Sequence, residues 1–228
     1  MKLLSLSGEA LLKNPPAPET AFPGPVGEEL AALLSERNGF YAFESALHVL
    51  PSGGGAGEPM TLEAWNAAGG WRRAYGSMDP GLLFFAEDVF GLQFGADGRE
   101  VFSFNPESAE TKRIASSLDE WARQVVEDYS YMTGYPIAHD WQVSHGALPA
   151  GHRLIPRVPF VAGGEFSVEN MVLVESAAGM RYWGEFARAV AEIADGEQFR
   201  LDVAKVEGIR CLGDSPAGAQ ACACFVQG

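Results

Sequence analysis

The sequence predicts an α+β fold, a mainly antiparallel sheet packed by helices. Two blocks carry the prediction. Residues from Leu82 to Phe104 have the two-residue period of strands with turn chemistry between them, and the residues after Ser117 have the period of a strongly amphipathic helix. A looser succession of strand and helix patterns follows from Arg153 onward.

Prolines 15, 16, 18, 23 and 25 crowd the segment from Asn14 to Pro25, which excludes a continuous helix or a central strand. Residues 1–26 are therefore read as an N-terminal arm. Behind it Leu30, Leu33 and Leu34 share a helical face opposite Glu28, Glu29, Glu36 and Arg37, and Asn38-Gly39 stops the helix. Phe40, Phe43, Leu47 and Leu50 continue at helix-like intervals, giving a second helix or an irregular buried segment. Ser52 to Gly57 is a glycine-rich loop without the Gly-Lys-Ser/Thr ending of a phosphate cradle. Thr61 caps a short helix toward Trp71, with Leu62 and Trp65 inward.

Leu82 to Ala86 is an unbroken apolar run suited to a buried strand, closed by Glu87-Asp88. Phe90 to Phe94 alternates, Ala96-Asp97-Gly98 turns, and Val101, Phe102 and Phe104 rebuild a strand, which together predict a hairpin. Ser117-Leu118-Asp119-Glu120 matches a capping box. From there Leu118, Trp121, Ala122, Val125, Val126, Tyr129 and Met132 trace one buried face, while Asp119, Glu120, Glu127 and Asp128 point outward until Gly134. A shorter helix is expected over Ile137 to His145. Strands are expected over Arg153 to Phe160 and Ser167 to Val174, a helix over Ala178 to Ala194, and a last strand over Phe199 to Val206. The Gly/Ala/Ser-rich residues 208–228 lack periodicity and read as a flexible, partly disordered tail.

The 30 acidic and 16 basic residues leave a net charge of −14, a field that repels phosphate backbones and anionic lipids, so no nucleic-acid and no membrane partner is expected. Met1 to Leu12 contains Glu9 and is unlike a secretory leader, and no later stretch gives the roughly 18 consecutive apolar residues of a membrane span. A cytoplasmic protein is expected. Cys211, Cys222 and Cys224 form no disulfide framework and lack histidine neighbours for zinc. His139, Asp140 and His145 lack the spacing of a metalloenzyme, and there is no Gly-x-Ser-x-Gly. Neither a metal nor another cofactor is expected, and no catalytic residue stands out.

The succession of Leu82-Leu83-Phe84-Phe85-Ala86-Glu87-Asp88, the glycine hairpin Phe90-Gly91-Leu92-Gln93-Phe94-Gly95 with Val101-Phe102-Ser103-Phe104, and Ser117-Leu118-Asp119-Glu120-Trp121 resembles the SUKH superfamily, the Smi/Knr-like group. The resemblance covers about residues 27–134. It implies a Smi/Knr-like core domain over 27–150, with 151–207 as a C-terminal α/β extension packed on it. It also implies a non-enzymatic bacterial immunity protein that neutralises a toxin, the class to which many members belong, with no cofactor.

Charge distribution points the same way. Between Gly81 and His145 eleven acidic residues face four basic ones, a local net of −7, and an acidic module is drawn to the basic surface of a nuclease toxin by complementary fields. The partner-binding residues expected are Glu87, Asp88, Glu120, Glu127 and Asp128, with Phe90 as an aromatic anchor, and the partner a basic protein such as a toxin domain. The alternatives are a regulatory scaffold or small-molecule-binding protein, suggested by five tryptophans, and, less favoured, a hydrolase. Oligomeric state is open.

Overall fold

The structure is a computed structural model that describes residues 1–14, 24–53 and 60–193. It is an α+β fold built on a six-stranded antiparallel sheet whose strands follow one another in chain order: β1 (Phe40–Ala42), β2 (Leu47–Val49), β3 (Leu83–Asp88), β4 (Gln93–Ala96), β5 (Val101–Phe104) and β6 (Thr111–Ala115). Helices α1 (Lys2–Ser5), α2 (Gly24–Glu36), α3 (Leu62–Trp65), α4 (Leu118–Glu127), α5 (Tyr129–Thr133) and α6 (Tyr135–His145) surround it. A two-stranded unit of β7 (His152–Pro156) and β8 (Met171–Glu175) leads into α7 (Ser176–Ala191).

The sheet is apolar on both faces, which is why β3 reads as a continuous run. On one side Phe85 and Phe94 pack edge-on and tilted against Trp121 of α4, at 5.0 and 5.4 Å between ring centroids. On the other, Phe84 and Phe104 meet Trp71 of a short 3-10 segment, Trp71–Ala74, and Tyr75 just after it. An irregularity between Phe84 and Ala86 resets the alternation of β3. Phe85 and Ala86 both serve the α4 side, so Glu87, paired in register with Gln93, returns to the side of Phe84.

Helix α4 begins as its capping box dictates, with Ser117 Oγ accepting from the Glu120 amide at 3.1 Å. It ends earlier than the periodicity predicts. Asp128 leaves helical geometry at φ −137° and ψ 57°, and its carboxylate caps α5 by accepting from the Tyr131 amide at 3.3 Å. The break turns Tyr129, expected in the buried face, out to 37% exposure. Gly134 then joins α5 to α6 at φ 69°, where a Cβ would fall 2.4 Å from the Phe90 ring.

Two further elements differ from the sequence expectation. Phe40 to Leu50 is a β-hairpin rather than a helix or an irregular segment, because β2 pairs with β3 and the residues between β1 and β2 take a turn. Its apolar spacing reflects burial on both sides of a short strand. The edge strand β6 carried no strand signal, since Thr111, Lys112 and Arg113 are exposed and polar, a composition that guards a sheet edge against pairing with other chains. The other edge is covered: Gly8, Leu11 and Leu12 amides donate to the carbonyls of Tyr41, Gly39 and Asn38. The strand expected over Phe199 to Val206 and the tail 208–228 lie outside the described residues.

The C-terminal unit shares the main apolar cluster through Ile155, Val172, Val174, Met180, Trp183 and Phe186. Helix α7 lies so close to the Trp71–Ala74 segment that a Cβ at Gly184 would fall 2.7 Å from that of Ala74. A polar clamp completes the junction. Glu87, fully buried, places Oε1 at 3.0 Å from Arg153 Nε of β7, 3.1 Å from His48 Nδ1 of β2 and 3.3 Å from the Ser176 hydroxyl that opens α7. Its Oε2 lies 3.4 Å from Gln93 Nε2, and Gln93 Oε1 accepts from the Trp65 indole at 2.7 Å. Burial opposes the carboxylate, but the Arg153 charge and the His48 hydrogen bond hold its pKa below the usual glutamate range, while burial holds that of His48 below the usual histidine range. Next to it, Asp88 Oδ1 accepts from the amides of Phe90 and Leu92 at 2.8 and 2.9 Å, shaping the β3–β4 turn. Burial outweighs those two donors and pushes its pKa up to about 7.

Three outcomes are expected. Trp121→Ala should cost about 3–5 kcal/mol through the cavity it leaves, whereas Tyr129→Ala, at a half-exposed site, should cost no more than about 1 kcal/mol, both read by urea unfolding. Glu87→Ala should cost about 3–5 kcal/mol by stranding the Arg153 charge, and Glu87→Gln combined with Arg153→Met should melt well above Glu87→Ala. Asp88 binds its proton more tightly folded than unfolded, so between about pH 4 and 7 its contribution to stability falls as pH rises and is constant above. Unfolding free energies measured across that range should decline less steeply toward pH 7 in Asp88→Asn than in the parent.

Candidate protein-interaction surface

Two of the six residues expected to meet a partner are inside the molecule. Glu87 is fully buried in the clamp with Arg153, and Asp88, 5% exposed, is spent on the β3–β4 turn. Neither presents charge to a partner. The sheet is covered on both faces, and the reset of alternation in β3 puts Glu87 on the side of Phe84, under the C-terminal unit, where Arg153 meets it. Phe90 is half-buried, wedged edge-on against Phe160 at 5.3 Å and beside Gly134, and so packs the β7–β8 loop onto the sheet.

The other three lie along α4, with different freedom. Glu120 folds back so that Oε2 accepts from the Ser116 amide and hydroxyl at 2.7 and 2.6 Å, and these bonds hold its carboxyl below the usual range. Glu127 is exposed and one helical turn from Arg123, at 3.4 Å. Asp128 is exposed at the α4–α5 break. Exposed pairs of this kind contribute little to stability, which leaves Glu127 open to another molecule, while Asp128 keeps its second carboxylate oxygen beyond the cap it forms on the Tyr131 amide.

The break at Asp128 also exposes aromatic surface, of which the helical periodicity had assigned Tyr129 to the core. Tyr131 is 82% exposed and Tyr129 37%. Tyr129 stacks on Phe43 at 5.0 Å and meets Tyr135 edge-on at 5.2 Å, and Tyr135 leans on His139 at 5.7 Å. Phe43 comes from the turn between β1 and β2. That turn carries three consecutive non-glycine residues in the left-handed region, Phe43, Glu44 and Ser45, at φ 53°, 52° and 68°, a conformation that costs roughly 1–2 kcal/mol per residue. Helix α6 holds it there. Gln142 Nε2 donates to the Glu44 carbonyl at 2.8 Å, His139 Nδ1 is 2.8 Å from Glu44 Oε2, and the Tyr135 hydroxyl is 3.4 Å from Oε1.

The result is a row of partly exposed rings from Phe43 to His139, bordered by Glu44, Glu127, Asp128 and Asp140. Aromatic side chains beside charges are the composition of protein-binding hot spots, where rings supply contact area at small entropic cost. Sequence reasoning missed Glu44, Tyr129, Tyr131, Tyr135 and His139 as a group. Only the early helix stop at Asp128, an N-cap residue inside a periodic run, pointed to them.

Among the described residues no group of three or more histidine, cysteine, aspartate and glutamate side chains is arranged to hold a metal ion. No helix there is long and apolar enough to cross a membrane. A cleft of about 500 Å³ lies between the β7–β8 loop and the end of α7, lined by Met78, Glu107, Val158, Val161, Phe186 and Val190. Glu107 there accepts from the Phe160 and Val161 amides at 3.1 and 2.9 Å and so anchors the loop.

No family model matches the sequence, and no curated protein matches it. Among solved structures, the crystal structure of Atu4351 from Agrobacterium tumefaciens aligns over 80% of this chain and 86% of that one, with a TM-score of 0.52 at 14% identity. At that identity the likeness is one of fold, and it supports the α+β architecture described above.

Proposed function

We propose that this protein is a non-enzymatic protein-binding module that captures a basic partner, and that the partner is a toxin domain it neutralises in the cytoplasm. The observation that carries the binding role is the α4–α5 break, which sets exposed Tyr129 and Tyr131 directly beside the exposed carboxylates of Glu127 and Asp128. A face of that composition suits a partner whose own surface is basic: the rings supply burial and the carboxylates steer encounter. The toxin-neutralising role rests on the resemblance of the β3–β5 region and the α4 start to the Smi/Knr-like group. The buried polar cluster of Glu87 with His48, Arg153 and Ser176 is sealed from solvent, which favours a structural role for it over catalysis.

The test is protection. Co-expression with the product of the adjacent reading frame should rescue growth if that product is toxic, and the purified pair should form a complex. Glu127→Gln with Asp128→Asn should slow association and flatten its salt dependence, with a smaller effect on dissociation, because charges at the rim act chiefly through encounter. Tyr131→Ala should speed dissociation. An adjacent product that is harmless, or that is not bound, would sink the toxin reading.

A further inference from the structure

We propose that Glu44 and the rings of Phe43, Tyr129 and Tyr135 form an anchor subsite for a guanidinium group, the point at which an arginine of the basic partner is held. This rests on the protein-binding reading and adds the chemistry of its anchor. Glu44 sits at the tip of the β1–β2 turn with its side chain 49% exposed, beside Tyr135, which meets Tyr129, while Tyr129 stacks on the neighbouring Phe43. Its carboxylate has lone pairs to spare: Oε2 accepts from His139 and Oε1 makes one long contact with the Tyr135 hydroxyl. A planar guanidinium offers a carboxylate two parallel donors and an aromatic ring a cationic face, which an ammonium does not do together.

The surroundings set the sign of the site. The titratable groups that face Glu44 are Tyr135 and His139 of α6 and, through Tyr135, Tyr129 of α5, with Asp140 adding negative charge beside His139. Among these only His139 becomes a cation. Its hydrogen bond to Glu44 and the charge of that carboxylate hold its pKa above the usual histidine range. Neutral His139 leaves the site net negative, and protonated His139 supplies the counter-charge that an arginine would otherwise bring. Anchoring therefore weakens as pH falls through the His139 titration. The left-handed turn serves this geometry, because it brings the Glu44 carboxylate to α6 while Phe43 stacks on Tyr129.

The experiment is an NMR titration of the full chain with N-acetyl-arginine amide, against its neutral isostere N-acetyl-citrulline amide. Saturable shifts confined to Phe43, Glu44, Tyr129, Tyr135 and His139 are expected, with citrulline about two- to fivefold weaker, the size of an exposed cation–π contact. Glu44→Gln and Tyr135→Leu should each weaken arginine by a similar factor, and Tyr135→Phe, which keeps the ring, should not. Lowering the pH through the His139 titration should weaken it in the parent and not in His139→Gln. Equal response to citrulline, shifts spread over remote acids such as Asp97 and Glu28, or affinity unchanged in Glu44→Gln would overturn the subsite. Toxin capture with no arginine response removes the subsite alone, and arginine response without toxin capture removes the toxin reading alone.

Discussion

The fold depends on the Glu87 carboxylate. It stands where the six-stranded sheet, the β7–β8 hairpin and the start of α7 converge, and each contributes a group that meets it: His48 from the sheet, the Arg153 charge from the hairpin, the Ser176 hydroxyl from the helix. Two buried charges of opposite sign gain little net energy over apolar packing. What they impose is geometry, since any displacement of the hairpin along the sheet would leave a guanidinium and a carboxylate unpaired in a low-dielectric interior. The apolar contacts of Ile155, Val174, Met180 and Trp183 supply the burial. The clamp decides which arrangement of those contacts is allowed, and it makes the C-terminal hairpin and helix integral to the core.

That arrangement divides the acidic residues into two populations. Glu87, Asp88 and Glu107 are buried: Glu87 opposes the Arg153 charge, Asp88 holds the β3–β4 turn and Glu107 anchors the β7–β8 loop. Glu44, Glu127, Asp128 and Asp140 face solvent around the aromatic row. The formal charge of −14 thus overstates what a partner meets at the end of β3 and understates how focused the field is at the α4–α6 face. On the proposed reading, the charges would act at a distance and the rings at contact with a basic partner.

The strain in the β1–β2 turn fits the same picture. Left-handed backbone at three successive side-chain-bearing residues persists only when neighbours over-determine it, and here Gln142, His139 and Tyr129 do so from α5 and α6. The turn, the α4–α5 break and the start of α6 are therefore one construction, held by ring stacking and by bonds to Glu44.

The sequence by itself determined the α+β class, the central hairpin over Leu82 to Phe104, the capped start of α4 and the helix at Ile137 to His145, because each is written in local terms: period, turn residues and capping side chains. It also placed Trp121 and Val125 in the core and Glu127 and Asp128 on the surface. Tertiary structure decided the rest. Which covered face of the sheet Glu87 takes turns on a one-residue irregularity in β3, and the charge it meets there is an arginine 66 positions later in the chain, neither of which leaves a local signal. Phe40 to Leu50 became a hairpin because β3 offered a pairing edge, and apolar spacing in a segment buried on both sides is the same for either structure. Tyr129 left the core because Asp128 caps a new helix, so a single side-chain hydrogen bond overrode a periodicity that ran seven residues deep.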